Sequence, residues 1–114
     1  MQVEQFKSKR VAFVGAGNMA EAIIKGLLTA GVMNPEQVEA SDVVESRRRY
    51  IQETYKIGVC AQSRDMVQQA DWVILAVKPQ VIPAVLAEIG PALESKLLIS
   101  IVAGLTISAI KNRS

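Results

Sequence analysis

The sequence predicts an α/β fold: a doubly wound parallel sheet with strand order 3-2-1-4-5 and helices on both faces. Three observations carry this. Short continuous apolar runs alternate with stretches whose apolar residues fall at helical spacing. The alternation is regular, a strand then a helix five times over, and right-handed crossovers wind such a chain over both faces of one sheet. The first strand-to-helix passage is the glycine turn Gly15-Ala16-Gly17-Asn18-Met19-Ala20.

The elements follow in order. Val11-Ala12-Phe13-Val14, bounded by Lys9-Arg10 and Gly15, reads as a buried strand. From Met19 the rhythm changes: Met19, Ile23, Leu27 and Ala30 repeat at helical spacing, and Ile24 and Leu28 widen the stripe. Gly31 sits where a helix-ending glycine belongs, and Asn34-Pro35 marks a turn. Val38 to Ser41 is the second strand. The helix after it runs from Ser46 to Tyr55, with Tyr50, Ile51 and Tyr55 as its inward face. Gly58 to Ala61 is a short third strand, and Ser63 caps a brief helix through Gln69. Trp72 to Val77, apolar and rich in β-branched residues, is the fourth strand, ended by Lys78-Pro79. A helix over Gln80 to Ile89 tolerates Pro83 only in its first turn. Leu97 to Val102 is the fifth strand. Gly104 breaks the chain, and Thr106 reads as the N-cap of a last helix that stops at Ser114 after about two turns. So abrupt a stop reads as a piece of something longer.

Composition narrows the chemistry. With 114 residues, 13 basic and 11 acidic, the chain is one domain of net charge +2 and can bury a core. That excess is too small for a nucleic-acid binder, and Arg47-Arg48-Arg49, the one basic run, reads as a solvated helix start. The chain has no histidine, which excludes within it a histidine base, a histidine metal ligand and a Ser-His-Asp triad. Its single cysteine, Cys60, allows neither an internal disulfide nor a zinc cluster, so no metal is expected. It fits a reducing compartment, and the expected placement is cytoplasmic. Met1 to Arg10 is polar and mixed in charge, unlike a signal peptide. No apolar run approaches ~18 residues, so no membrane span is expected.

The glycine turn matches G-x-G-x-x-A, a dinucleotide fingerprint of Rossmann-like sheets, with a strand before it and an amphipathic helix after it. Gly15 permits the tight turn. Gly17 leaves room for a pyrophosphate against the backbone, and Ala20 lets the helix pack closely on the strand. The helix N-terminus offers free N–H groups to phosphates. The bland alternative is a tight turn with no ligand. In such a sheet the ligand crevice lies where strand order reverses, between the first and fourth strands, so Ala76-Val77-Lys78-Pro79 forms its other wall. Lys78 faces a phosphate or the nicotinamide end, or is simply a solvated lysine. Ser41-Asp42 stands about twenty residues beyond Ala20, where a ribose should be met. An aspartate there favours NAD, whereas Arg47 to Arg49 could neutralise a 2′-phosphate, so the residues alone leave NAD and NADP both open. Trp72 reads as packing, Cys60 as a small buried hydrophobe, Met33 and Met66 as gap fillers, and Glu21 with Lys25 as a surface i, i+4 pair. The expected organisation is an N-terminal extension over residues 1–9 and one dinucleotide-binding domain over residues 10–114.

Three segments together resemble the N-terminal domain of the pyrroline-5-carboxylate reductase family: Val-Gly-Ala-Gly-Asn-Met-Ala at 14–20, Ala-Val-Lys-Pro at 76–79 and Ser-Ile-Val-Ala-Gly-Leu-Thr-Ile at 100–107. Ile82-Pro83 and Glu88-Ile89 also fit, and the resemblance covers residues 10–112. It implies reduction of the imine of 1-pyrroline-5-carboxylate to L-proline, the last step of proline biosynthesis, with NADP named first and NAD open. It implies that Val14, Gly15, Ala16, Gly17, Asn18 and Met19 hold the pyrophosphate, with Ala20 behind them. Ser41 and Asp42 would lie at the adenosine ribose and Ser63 near the adenine. Ala76, Val77, Lys78 and Pro79 would line the nicotinamide side, framed by Val102, Ala103 and Gly104. The family often carries serine or asparagine where Asp42 stands. It also implies a helical C-terminal domain, absent here, that takes the small imine substrate and makes a homodimer or higher homo-oligomer, with no nucleic-acid or membrane partner. No residue of this chain is assigned a catalytic role; Lys78 is the nearest candidate for an electrostatic one. Two other readings stand beside this one: a related two-domain dehydrogenase of the 3-hydroxyacid or F420-dependent NADP reductase type, and a stand-alone nucleotide-binding module without catalysis.

Overall fold

A computed structural model of the chain describes residues 8–93, 96–102 and 106–111. Its strands are β1 (Val11–Val14), β2 (Val38–Ser41), β3 (Gly58–Cys60), β4 (Trp72–Leu75), β5 (Leu97–Val102) and β6 (Thr106–Lys111). The helices between them are α1 (Asn18–Thr29), α2 (Glu45–Tyr55), α3 (Arg64–Gln68) and α4 (Ile82–Ile89), with 3-10 turns over Pro35–Gln37, Pro79–Val81 and Gly90–Ala92.

The sheet runs β3-β2-β1-β4-β5-β6. Its first five strands are parallel in the expected order 3-2-1-4-5. Period-two alternation explains the two layers. Val11 and Phe13 of β1 point to one face, where they pack with Ala20 and Ile24 of α1, Val38 and Ala40 of β2, and Ile51 of α2. Ala12 and Val14 point to the other, with Met66 and Val67 of α3, Val73 and Leu75 of β4, Ile89 and Leu98. Phe13, Ile24, Ile51, Leu75 and Ile89 are fully buried, each contributing about 1.5–3 kcal/mol of transfer free energy. Met33 and Met66 fill core space as expected, and half-buried Trp72 packs against the first layer.

The last element differs from the expectation. Thr106 does not cap a helix: Thr106 to Lys111 is β6, antiparallel to β5 from Val102↔Thr106 to Leu97↔Lys111. Without it the outer edge of β5 would leave a row of unpaired N–H and C=O groups. The segment also carries β-branched Thr106, Ile107 and Ile110, and a helix so short is marginal without a face to bury. Residues 112–114 of that expected helix, 103–105 before it and 1–7 of the N-terminal extension lie outside the described residues.

Smaller shifts follow from packing. In α1 the buried positions are Ala20 and Ile24, with Ile23, Leu27 and Leu28 against the core; Met19 and Ala30 of the expected stripe are exposed. Met19 belongs to the first turn, above the level of the sheet. In α2, Ile51 is inward and Tyr55 half-buried, but Tyr50 is exposed. Pro83 stands in the first turn of α4, where its missing N–H costs nothing.

Gly15 and Gly17 do different work. Gly15 has φ +103°, and a Cβ built on it would lie 2.5 Å from the carbonyl oxygen of Ala76. Gly17 has φ −78°, and a Cβ there would meet nothing within 4 Å. Gly15→Ala should therefore cost about 2–4 kcal/mol through backbone strain and overpacking. Gly17→Ala should cost less than about 1 kcal/mol, the scale of a changed N-cap. Urea denaturation of the two variants checks this, and equal midpoints would contradict it.

Candidate functional site

The site is built where β1, β2 and β4 end at one level. Val14 pairs across to Ser41 on one side and Leu75 on the other, so three loops leave the sheet together. Main-chain bonds carry the ladder past the strand ends. Gly15 N–H donates to Ser41 O at 2.9 Å, Ala76 N–H to Val14 O at 2.8 Å and Asp42 N–H to Cys60 O at 3.1 Å. The glycine turn is thus pinned from both sides. Gly17 then serves as the N-cap of α1 with no side-chain cap bond. The first N–H groups of a helix have no partner within it, and here they open beside a glycine with free space above.

Two hollows flank the turn and meet at Val77. One, about 260 Å³, is lined by Val14, Gly15, Ser41, Asp42, Val43 and Ala61 with Ser63, Val77, Val81, Val85 and Glu88. The other, about 280 Å³, is lined by Gly17, Asn18, Met19, Ala76, Val77, Lys78 and Pro79. The structure thus gathers Val14 to Met19 with Ser41, Asp42, Ser63 and Ala76 to Pro79 around one crevice. Ala16 and Ala20 are buried beneath it. Val102 ends β5, and Ala103 and Gly104 lie outside the described residues. From the sequence, Val81 and Val85 are assigned no part in the site, and Glu88 is named only as fitting the family's helix. Their helical spacing after Lys78-Pro79 was the signal available, since 81, 85 and 88 share one helix face. A larger hollow of about 420 Å³ lies by β3, lined by Arg10, Glu39, Cys60 and Asp65 among others, and has no glycine turn.

The polar residues are held in definite ways. Ser41 and Ser63 are both buried, and their hydroxyls bond each other at 2.7 Å, forming the floor of the first hollow. Ser63 gives α3 no side-chain cap bond; its N–H donates to the Glu88 carboxylate at 3.3 Å. Asp42 accepts from Ala16 N–H at 3.1 Å and from Val44 N–H at 2.9 Å, one on each carboxylate oxygen. A carboxylate has about four acceptor positions, so each oxygen keeps capacity for a hydroxyl. Lys78 is exposed at the N-cap of the Pro79–Val81 turn, and among the described residues its ammonium has no ion pair. Burial pushes the half-buried Cys60 thiol up from its ordinary value, against a role as thiolate.

Beside the turn stands a cluster that the sequence did not disclose. Glu21 does not pair with Lys25. Its Oε1 accepts from Arg47 Nη2 at 2.7 Å, and its Oε2 accepts the hydroxyls of Tyr50 and Tyr55, each at 2.6 Å. Arg47 also donates through Nε to the Ala16 carbonyl and lies 5.0 Å from the centre of the Tyr50 ring. The three arginines are therefore not a solvated run: Arg48 donates to the Asp42 carbonyl at 2.8 Å, and only Arg49, with Glu45, stays on the surface. The Tyr50 and Tyr55 hydroxyls, with Arg47, hold the Glu21 carboxyl down at about 2; the carboxylate in turn pushes Tyr55 up to about 12.

Among the described residues no group of acidic, cysteine or histidine side chains could hold a metal ion, and no helix is long and apolar enough to cross a membrane. Residues 10–104 match the family model described as NADP oxidoreductase, coenzyme F420-dependent. Over 105 residues the chain is 36% identical to pyrroline-5-carboxylate reductase 2 of Bacillus subtilis, covering 91% of this chain and 38% of that protein. A pyrroline-5-carboxylate reductase structure from Coxiella burnetii superposes with a TM-score of 0.80 at 30% identity, over 87% of this chain and 37% of that one. A pyrroline carboxylate reductase from Plasmodium falciparum, solved with NADP bound, gives 0.73 at 28% identity, over 86% and 35%. The chain spans about two fifths of the length of the curated relatives it matches.

The Glu21 cluster predicts an acid limb in stability. The folded carboxyl titrates near 2 and the unfolded one near 4.5, so the contribution is whole above pH 4.5 and lost as pH falls towards 2. The urea midpoint should drop across that window, and Glu21→Gln should flatten part of the drop. A Glu21→Gln profile parallel to the native one would refute the linkage.

Proposed function

The chain belongs to the pyrroline-5-carboxylate reductase family, in the region of its NAD(P)-binding N-terminal domain, and from that premise we propose that it is the cofactor-holding part of an enzyme reducing 1-pyrroline-5-carboxylate to L-proline. The observation that carries this reading is the crevice itself: a glycine N-cap with open space above it, facing the Ala76–Pro79 loop. A pyrophosphate fits there because Gly15 is locked against Ala76 while Gly17 keeps its face bare. The residues proposed to hold it are Gly15 to Met19. Ser41 and Asp42 would meet the adenosine ribose, and Ser63 and Val85 the base. Ala76 to Pro79 would lie along the nicotinamide, with Val102 to Gly104 beyond them.

When bound, a reduced nicotinamide supplies the hydride that the imine carbon takes. This chain's own part is to fix the cofactor's position and to screen one side of it with Ala76 and Val77. Hydride transfer needs donor and acceptor atoms within about 3–3.5 Å of each other. The crevice offers one wall for this, and among the described residues lining it Lys78 is the sole cation. We place the imine and the proton source in the further length of the relatives, together with their assembly into homo-oligomers.

Calorimetric titration of the chain with NADH and with NADPH tests the reading. At least one should bind, and Gly17→Val should weaken that binding about a hundredfold or more by blocking a close backbone approach, with the fold retained. Undiminished affinity in Gly17→Val would overturn the assignment. In the enzyme of which this chain is proposed to be a part, turnover of the imine rather than of a 3-hydroxyacid separates this reaction from that of related dehydrogenases.

A further inference from the structure

A densely bonded polar cluster lies beside the position proposed for the adenosine ribose. Five observations meet there. The Asp42 carboxylate, ending β2, is fixed by the N–H groups of Ala16 and Val44. The next two residues carry no charge: Val43 is 85% exposed and Val44 51%. Arg47, one turn along in α2, is tied to the Ala16 carbonyl, paired with Glu21 at 2.7 Å and stacked on Tyr50. Arg48 donates through Nη1 to the main-chain carbonyl of Asp42. Arg49, two residues along the helix from Arg47, does not share its face.

Resting on the reading of the crevice as a dinucleotide site, we propose that this chain selects NADH over NADPH, with Asp42 as the specificity determinant and Glu21 as the positioning residue that withholds Arg47 from a 2′-phosphate. A ribose 2′-hydroxyl can donate to either oxygen of Asp42, each of which has acceptor capacity left. A 2′-phosphate brings close to two negative charges against that carboxylate. An arginine could offset them, since its fork matches phosphate geometry. Here Nε and Nη2 are already engaged, by the Ala16 carbonyl and by Glu21. Glu21 neutralises the guanidinium, and two tyrosine hydroxyls hold Glu21 in turn, so releasing Arg47 breaks a part-buried network rather than a single surface pair. Glu21 stands within the first turn of α1, so the cofactor preference is set by the same helix that presents its N–H groups to the pyrophosphate.

Titrating the chain with NADH and NADPH at fixed salt reads the ratio of the two dissociation constants. The native chain should bind NADH about ten- to a hundredfold more tightly, the scale of one charged hydrogen bond gained against one repelled charge. Glu21→Gln should tighten NADPH about tenfold and leave NADH within about twofold, and Arg47→Ala should cancel that gain in the double variant. Asp42→Ser, which leaves the Glu21 bonds to Arg47, Tyr50 and Tyr55 in place, should independently shrink the ratio, so the proposal stays testable if Glu21→Gln folds poorly. General damage to the fold would weaken both nucleotides and leave the ratio unmoved. A native ratio near one or favouring NADPH overturns the proposal alone, as does a ratio indifferent to Glu21→Gln and Asp42→Ser. Binding of neither nucleotide overturns the dinucleotide site and the proposal with it.

Discussion

The approach of Gly15 to the carbonyl of Ala76 is the constraint on which the crevice depends. At φ +103° the chain leaves β1 in a direction that a side chain would forbid, and a single Cβ would collide with the neighbouring loop. Because the residue is glycine, the exits of β1 and β4 can touch; the Ala76–Val14 hydrogen bond holds them together, and the Gly15–Ser41 bond ties the turn to the end of β2. Everything placed around the crevice inherits that geometry. The first turn of α1, the Ala76–Pro79 loop and the Asp42 carboxylate are positioned by main-chain bonds rather than by long flexible side chains.

The two glycines of the turn answer to different constraints. Gly15 answers to the protein, whose backbone presses against it. Gly17 answers to nothing inside the protein, for the space above it is open. A residue left small without an internal reason is informative about what approaches from outside. Relatives of this chain, including one solved with NADP bound, superpose over this same region.

Around the turn the polar groups form a closed accounting. Ser41 and Ser63 satisfy each other, Asp42 is fixed by two N–H groups, and Glu21 takes one arginine and two tyrosines. Among the described residues no buried side-chain polar atom lacks a partner. Such a rim is preorganised, which lowers the ordering cost of binding. Under the proposed preference, Glu21 and Arg47 would discriminate between ligands while also clamping α1 to α2.

The sequence by itself determined the five parallel strands, their order and the glycine turn. These rest on local signals: continuous apolar runs, helical spacing, and residues whose backbone freedom is peculiar to them. It also placed Asp42 and Lys78 at the crevice, because in such a sheet the loops at the strand ends converge wherever the order reverses. Only the tertiary structure decided the rest. Glu21 and Lys25 have the spacing of a helix surface pair, yet Glu21 turns to Arg47, Tyr50 and Tyr55, which are distant in sequence and brought near by packing of α1 on α2. Three adjacent arginines look alike in the chain and take three different partners, because a helix points neighbouring side chains about 100° apart. Thr106 to Lys111 carries both a helix-start signal and a strand composition, and the open edge of β5 settled the matter in favour of a strand. Local pattern fixes what a segment can be; the partner that long-range pairing brings to it fixes what it becomes.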